Sequence, residues 1–158
     1  LVVLFLDKKI ATKHGTVYFP SLEFPFVRIS EPKNRSEAMS PEAKTSLVVE
    51  IPSQATDVPW QMKDEELKEI VCLKLIKIRW ITREEILSST VERLQYAYPV
   101  LEVESENNIQ KIFGFLNNFS NLRLSGRNGR FKYSWMHDQL RLGREIVDDF
   151  KNDTRCFG

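Results

Sequence analysis

Gly126-Arg127-Asn128-Gly129-Arg130-Phe131-Lys132-Tyr133-Ser134-Trp135-Met136-His137-Asp138 is the stretch on which the reading of this chain turns. A short apolar strand signal, Leu122-Arg123-Leu124, precedes it, and an amphipathic helix signal running to about residue 150 follows it. A glycine turn between strand and helix, with an arginine beside its first glycine, suits a buried anionic group. Backbone N–H groups at a helix N-terminus attract phosphate, and a guanidinium can clamp it. Three of the six glycines lie between 126 and 143, which points to a site rather than a simple turn. The same residues also fit an ordinary turn with a surface arginine. In that reading Met136 is core, Tyr133 is a boundary aromatic and His137 is a solvated helix cap.

Working outward, Ser134 is the expected N-cap of the last helix. Met136, Leu140, Gly143, Val147 and Phe150 fall on its apolar stripe. Gly143 there costs about 1 kcal/mol of helix propensity, which a close approach to a strand or ligand would explain. Residues 152–158 read as a frayed tail. Upstream, Ser105 can cap a helix with Ile109, Ile112, Phe113 and Leu116 on its buried stripe, ended by Asn117-Asn118. Asp64-Glu65-Glu66 opens another helix with acids where the dipole favours them. Leu67, Ile70, Val71, Leu75 and Ile78 then share one face up to about Trp80. Residues 86–95 are ambiguous: Glu84-Glu85 suggests helix, Ser88-Ser89-Thr90-Val91 suggests strand. Residues 1–8 form a continuous apolar run typical of a buried strand. Segments 16–20, 26–30 and 45–51 are further strand candidates, rich in β-branched and aromatic residues. The polar, proline-marked stretch 32–41 is a loop.

A length of 158 residues fits one domain, or one domain plus part of another, and 42% hydrophobic content is enough for a core. A net charge of +1 gives no field for nucleic acid or an acidic membrane. Arg127, Arg130, Phe131, Lys132, Tyr133 and Trp135 do mix basic and aromatic residues as single-strand platforms do. The glycine spacing is not of the RNP type, however, and nucleic acid is not an expected partner. Cys72 reads as a small core or boundary residue, and a disulfide to Cys156 is not expected with so few cysteines. His14, His137, Cys72 and Cys156 lack metal-ligand spacing, so no metal site is expected. No Ser-His-Asp order or nucleophile elbow is present. Glu31 and Glu50 are isolated and read as structural or surface residues, although strand positions can line a substrate pocket. No apolar run approaches the roughly 18 residues of a membrane span.

The run Gly-Arg-x-Gly-x-Phe-x-Tyr-x-x-Met resembles the C-terminal flavin-binding segment of FAD-dependent enzymes of the amine oxidase, protoporphyrinogen oxidase and UDP-galactopyranose mutase type. Tyr18-Phe19-Pro20, Phe26-x-Arg28-Ile29-x-Glu31-Pro32-Lys33-Asn34 and Lys44-Thr45-Ser46-Leu47-Val48-Val49-Glu50 resemble their substrate-domain strands. Ala97-Tyr98-Pro99-Val100 looks like their crossover back into the flavin domain. These blocks span most of residues 14–150.

The resemblance implies an α+β fold: a mixed, largely antiparallel sheet with helices, then a C-terminal helix-strand-helix returning to an FAD-binding domain. Residues 1–100 would be part of the substrate-binding domain, 101–158 the C-terminal segment of the FAD-binding domain, and 86–95 a strand. Such enzymes open with a Gly-x-Gly-x-x-Gly turn that is absent here. The chain is therefore expected to be a C-terminal part of a longer, cytoplasmic flavoprotein, with the N-terminal half as its missing partner. The parent would be an oxidoreductase acting on a small-molecule substrate. The alternatives are a mutase-like flavoenzyme and a non-catalytic binding module. FAD would belong to the parent, and this chain alone would be inactive, FAD-free and homo-oligomeric. By the same resemblance, Gly126 lets the backbone approach the cofactor, Arg127 pairs with an anionic group and Gly129 serves the turn. Tyr133, Met136 and His137 would border the flavin ring. Related sequences often carry Met-Asp-His where this chain has Met136-His137-Asp138, so the acid's role does not carry over directly. Catalytic residues are not assigned.

Overall fold

A computed structural model describes residues 1–152. The chain divides into two compact units, Leu1–Gln95 and Tyr96–Gly158. The fold is α+β.

The first unit is a five-stranded sheet in the order β2-β3-β4-β1-β5, with β1 Val2–Leu6, β2 Thr16–Tyr18, β3 Arg28–Ser30, β4 Thr45–Glu50 and β5 Ile86–Val91. All four described pairings are antiparallel. Alternation decides which side chains enter the core. Val2, Leu4 and Leu6 of β1 stand opposite Val49, Leu47 and Thr45 of β4, and all six are buried. Val3 and Phe5 point to the other face, and Phe5 is 44% exposed. The apolar run 1–8 is therefore buried on one side only, because helices cover one face of this antiparallel sheet. A register shift between Phe5 and Leu6 leaves an extra residue in β5, where Leu6 pairs with Ile86. The segment 86–95 is a strand only as far as Val91.

A one-turn helix, α1 (Val58–Gln61), leads into α2 (Asp64–Lys77). Leu67, Val71, Cys72 and Leu75 of α2 are buried with the inner face of the sheet. The helix stops three residues before Trp80. Arg79 takes a left-handed φ of 61°. The Arg79 N–H bonds the Ile76 carbonyl at 2.9 Å and the Trp80 N–H bonds the Leu75 carbonyl at 3.0 Å. This is a Schellman cap with arginine in glycine's usual place.

Neither isolated glutamate is a bare carboxylate. Glu31 is fully buried. It accepts from the Ala11 and Thr12 N–H groups at 2.9 and 2.8 Å, from Asn34 Nδ2 at 3.1 Å and from the Thr45 hydroxyl at 2.6 Å. Glu50 holds Arg28 through two bonds of 2.8 and 2.6 Å. Within the expected loop 32–41, Pro32–Asn34 and Glu37–Met39 form short 3-10 turns. Lys33 Nζ fastens the end of that loop by donating to the carbonyls of Pro41, Glu42 and Lys44 at 2.5–2.8 Å.

The second unit holds α3 (Ser105–Leu116), the one-turn α4 (Gly126–Gly129) and α5 (Met136–Asn152). Three local expectations need correction. Leu122-Arg123-Leu124 joins no ladder, because this unit offers no strand among its described residues to pair with it. Ser105 is the first helical residue, not the cap, and its hydroxyl accepts from the Glu102 N–H at 2.8 Å. Ser134 lies two residues before α5. The carboxylate of Asp138 caps the helix instead, accepting from the Trp135 N–H at 3.1 Å.

Candidate functional site

The glycine-arginine turn is not the start of the long helix. Gly126 opens α4 with φ 79°, a left-handed conformation that any side chain would strain. The chain then closes on itself: Arg130 N–H bonds the Gly126 carbonyl at 3.0 Å, and Lys132 N–H bonds the Arg127 carbonyl at 3.0 Å. The second left-handed position falls on Phe131, with φ 47°, rather than on Gly129. Gly129 is not the residue on which the turn's geometry depends. It lines an apolar groove of about 330 Å³ with Ile109, Phe113, Leu116 and Phe131.

Arg127 is the centre of the arrangement. Its side chain is half-buried and donates to the Ser134 carbonyl at 3.2 Å. The guanidinium carbon lies 5.1 Å from the centre of the Tyr98 ring and 6.0 Å from that of Tyr133. Those two rings stack, 5.8 Å apart and inclined by 17°. The rings and the carbonyl fix the plane of the guanidinium by cation–π and hydrogen-bond contact. No carboxylate among the described residues forms an ion pair with it. A pre-oriented guanidinium with unspent positive charge is an anion receptor in chemical terms. Asn128 Nδ2 adds a tie from this turn to the Tyr96 carbonyl at 3.1 Å.

The structure thus brings Gly126, Arg127 and Tyr133 together and adds Tyr98, which the sequence reading placed only in a crossover. Met136 and His137 lie on the first turn of α5. Met136 is 85% exposed. The exposed His137 has Nε2 3.7 Å from Asp138 Oδ2. Arg130 is exposed and lines a separate, polar cavity of about 460 Å³ with Glu145 and Asp149.

Burial pushes the Cys72 thiol above its ordinary range, and Cys156 lies outside the described residues. No cluster of three His, Cys, Asp or Glu among the described residues is placed to hold a metal. No helix among them is long and apolar enough to cross a membrane.

No protein-family profile matches the chain, and no curated protein matches it. Solved structures do match. One of them is a crystal structure of reduced UDP-galactopyranose mutase. The two superpose with a TM-score of 0.64 at 20% sequence identity, over 84% of this chain and 28% of that one. The likeness establishes a shared fold over a little more than a quarter of that protein's length.

Proposed function

We propose that this chain is the C-terminal part of an FAD-dependent enzyme. Residues 1–100 form part of its substrate domain, and residues 101–158 close its FAD-binding domain. The observation that carries this reading is Arg127: a half-buried guanidinium, oriented by Tyr98, Tyr133 and Ser134, without a carboxylate partner among the described residues. It suits the pyrophosphate of the cofactor or an anionic group of the substrate. Gly126 gives backbone without a side chain beside it. Met136 and His137 are exposed at the N-terminus of α5, where the helix field favours negative charge. These residues fit the cofactor's chemistry as an anion clamp followed by an open helix start. FAD, when bound, supplies the hydride or electron acceptor.

The parent is in the first reading an oxidoreductase of the amine oxidase or protoporphyrinogen oxidase kind. The likeness to a reduced mutase favours a second reading, in which reduced flavin is regenerated unchanged in each turnover. In either case the chain by itself, without a phosphate-binding glycine turn, is inactive.

The test is made in the full-length enzyme. Arg127→Ala should weaken FAD or substrate binding about 10- to 150-fold, the loss of a charged hydrogen bond worth roughly 1.5–3 kcal/mol. Arg130→Ala should change little. Equal effects, or none from Arg127→Ala, would make the turn structural. Turnover that needs reduced flavin but consumes no electron acceptor selects the mutase reading, and stoichiometric acceptor reduction selects the oxidoreductase.

A further inference from the structure

The chain passes from the first unit to the second once, between Gln95 and Tyr96. On either side of that point it is fastened, each side within its own unit. β5 ends at Val91, and the Glu92 N–H bonds the Leu1 carbonyl at 2.9 Å. Arg93 is then held by all three of its guanidinium nitrogens. Nε donates to the Trp60 carbonyl at 3.1 Å, Nη2 to the Met62 carbonyl at 2.6 Å, and Nη1 to the carboxylate of Asp64. These acceptors run from α1 to the first residue of α2, the helix whose Leu67, Val71 and Leu75 are buried in the core. A planar fork that meets three separate acceptors has one orientation, so the chain is placed firmly as far as Arg93.

Beyond the boundary the second unit takes hold at once. The Tyr96 carbonyl accepts from Asn128 Nδ2 at 3.1 Å. The Tyr98 ring stacks on Tyr133 and carries the Arg127 guanidinium at 5.1 Å. Pro99 is buried. Leu94 and Gln95 lie between the two grips. Leu94 is 54% exposed, and Gln95 is exposed as well. Among the described residues, no hydrogen bond or ion pair fastens either of them to the body of either unit. A connector belonging to one unit would continue that unit's bonding, and these two residues continue neither. Each carries a soft φ and ψ, enough to re-aim one body against another. Hinges are short segments of this kind, at the ends of regular elements and not restricted to small residues.

We propose that Leu94-Gln95 is a hinge about which the two units turn as separate bodies. Arg93 is its anchor on one side. Asn128 and the Arg127–Tyr98 stack are its anchor on the other. Tyr98, Tyr133 and Ser134 all travel with Arg127, so the guanidinium keeps its orientation while the strand-built unit turns. The hinge does not depend on which ligand Arg127 takes.

Residual dipolar couplings of the backbone amides, measured on the full chain in a dilute liquid-crystal medium, test it without any variant. Residues 1–93 and 96–152 should each fit one alignment tensor, and the two tensors should differ in magnitude. Inserting Gly-Gly between Leu94 and Gln95 should leave amide chemical shifts unchanged outside residues 92–98. Arg93→Ala should move the free segment back toward β5. Hydrogen exchange at the Glu92 N–H should then accelerate at least about tenfold, as the loss of charge-assisted hydrogen bonds implies, while exchange in β1 and β4 stays as it was. Arg93→Lys keeps the charge without the three-way fork and should accelerate exchange at Glu92 in the same direction. Tensors of equal magnitude, the sign of one rigid body, would overturn the hinge. So would shifts spreading from the insertion into either unit, or unchanged Glu92 exchange in the folded Arg93 variants.

Discussion

The two units of this chain use apolar residues in opposite ways. In the first, Val2, Leu4, Leu6, Phe26, Leu47, Val49, Val71 and Leu75 are wholly out of solvent. In the second, Pro99 alone among the described residues is buried. Val103 there is fully exposed, and Leu140 of α5 is 77% exposed. Both units have well-formed helices, so regular backbone is no sign of a closed core. The covered side of α5 is made by Leu142, Ile146 and Phe150, while Met136, Leu140 and Val147 extend the same apolar arc into the open. Gly143 lies within that arc, and a Cβ placed on it would meet nothing within 4 Å. The close approach that would explain this glycine is not made among the described residues. Under the function proposed above, the remainder of the parent enzyme supplies what the second unit lacks.

The sharpest way to break this contrast is to truncate one leucine in each unit. Leu4→Ala should cost about 3–4 kcal/mol, the transfer and cavity loss of a sealed core. Leu140→Ala should stay within about 0.5 kcal/mol. Urea unfolding followed at Trp60 and Trp80 reports the first unit, and fluorescence of Trp135 reports the second. A comparable loss for both variants would mean that the second unit seals its own core.

A smaller effect tests how the first unit holds its loops. Glu31→Gln replaces an acceptor-only group with one that must face a backbone N–H with its own donor, and should cost about 1–3 kcal/mol. Hydrogen exchange at Ala11 and Thr12 should accelerate in step with the loss. Unchanged protection there would separate the buried carboxylate from the order of the loop.

Arg79→Gly should stabilise the first unit by about 0.5–1 kcal/mol, since glycine takes the left-handed Schellman position without strain. A lowered melting temperature would show that the arginine side chain contributes more than its backbone costs.

The smallest expected effect is electrostatic. Lys8, hydrogen-bonded at 3.0 Å, and the Thr82 N–H hold the Glu85 carboxyl below its usual range. A depressed carboxyl pKa adds stability above its unfolded-state value, and that increment disappears as pH falls through the folded-state value. Glu85→Gln should therefore destabilise the protein near neutrality and flatten the acid limb of its melting curve. Parallel acid limbs for wild type and variant would assign the shift no share in stability.

What the sequence revealed follows the same division. In the first unit each of the strand candidates 1–8, 16–20, 26–30 and 45–51 contains an observed strand, while the continuous apolar run Val2–Leu6 did not reveal which face would be buried; the closed core selects it. In the second unit, local signals had no core to select among them. Leu122-Arg123-Leu124 has strand chemistry but joins no ladder among the described residues. The α5 stripe was read as Met136, Leu140, Gly143, Val147 and Phe150, whereas the covered side is rotated toward Leu142 and Ile146. An apolar arc that broad does not reveal which part will be covered. Around Arg127, the glycine spacing pointed to the turn, and the resemblance pointed to Tyr133. Tyr98 lies 29 positions before Arg127 in sequence, and no spacing rule connects them. The burial of Glu31 was hidden for a similar reason: its donors come from residues 11, 12, 34 and 45.

The displaced register between Phe5 and Leu6 bears on how this chain avoids its own kind. β5 is an edge strand of the sheet, and its far-side ladder groups pair with no other described strand. The extra residue opposite that step interrupts the regular spacing an incoming strand would have to match. At the other margin, β2 is only three residues long, Thr16–Tyr18. One border is bent and the other is short, two ways in which sheets resist edge-to-edge polymerisation. Removing the extra residue at Leu87 would straighten the longer border and turn it into a template for aggregation.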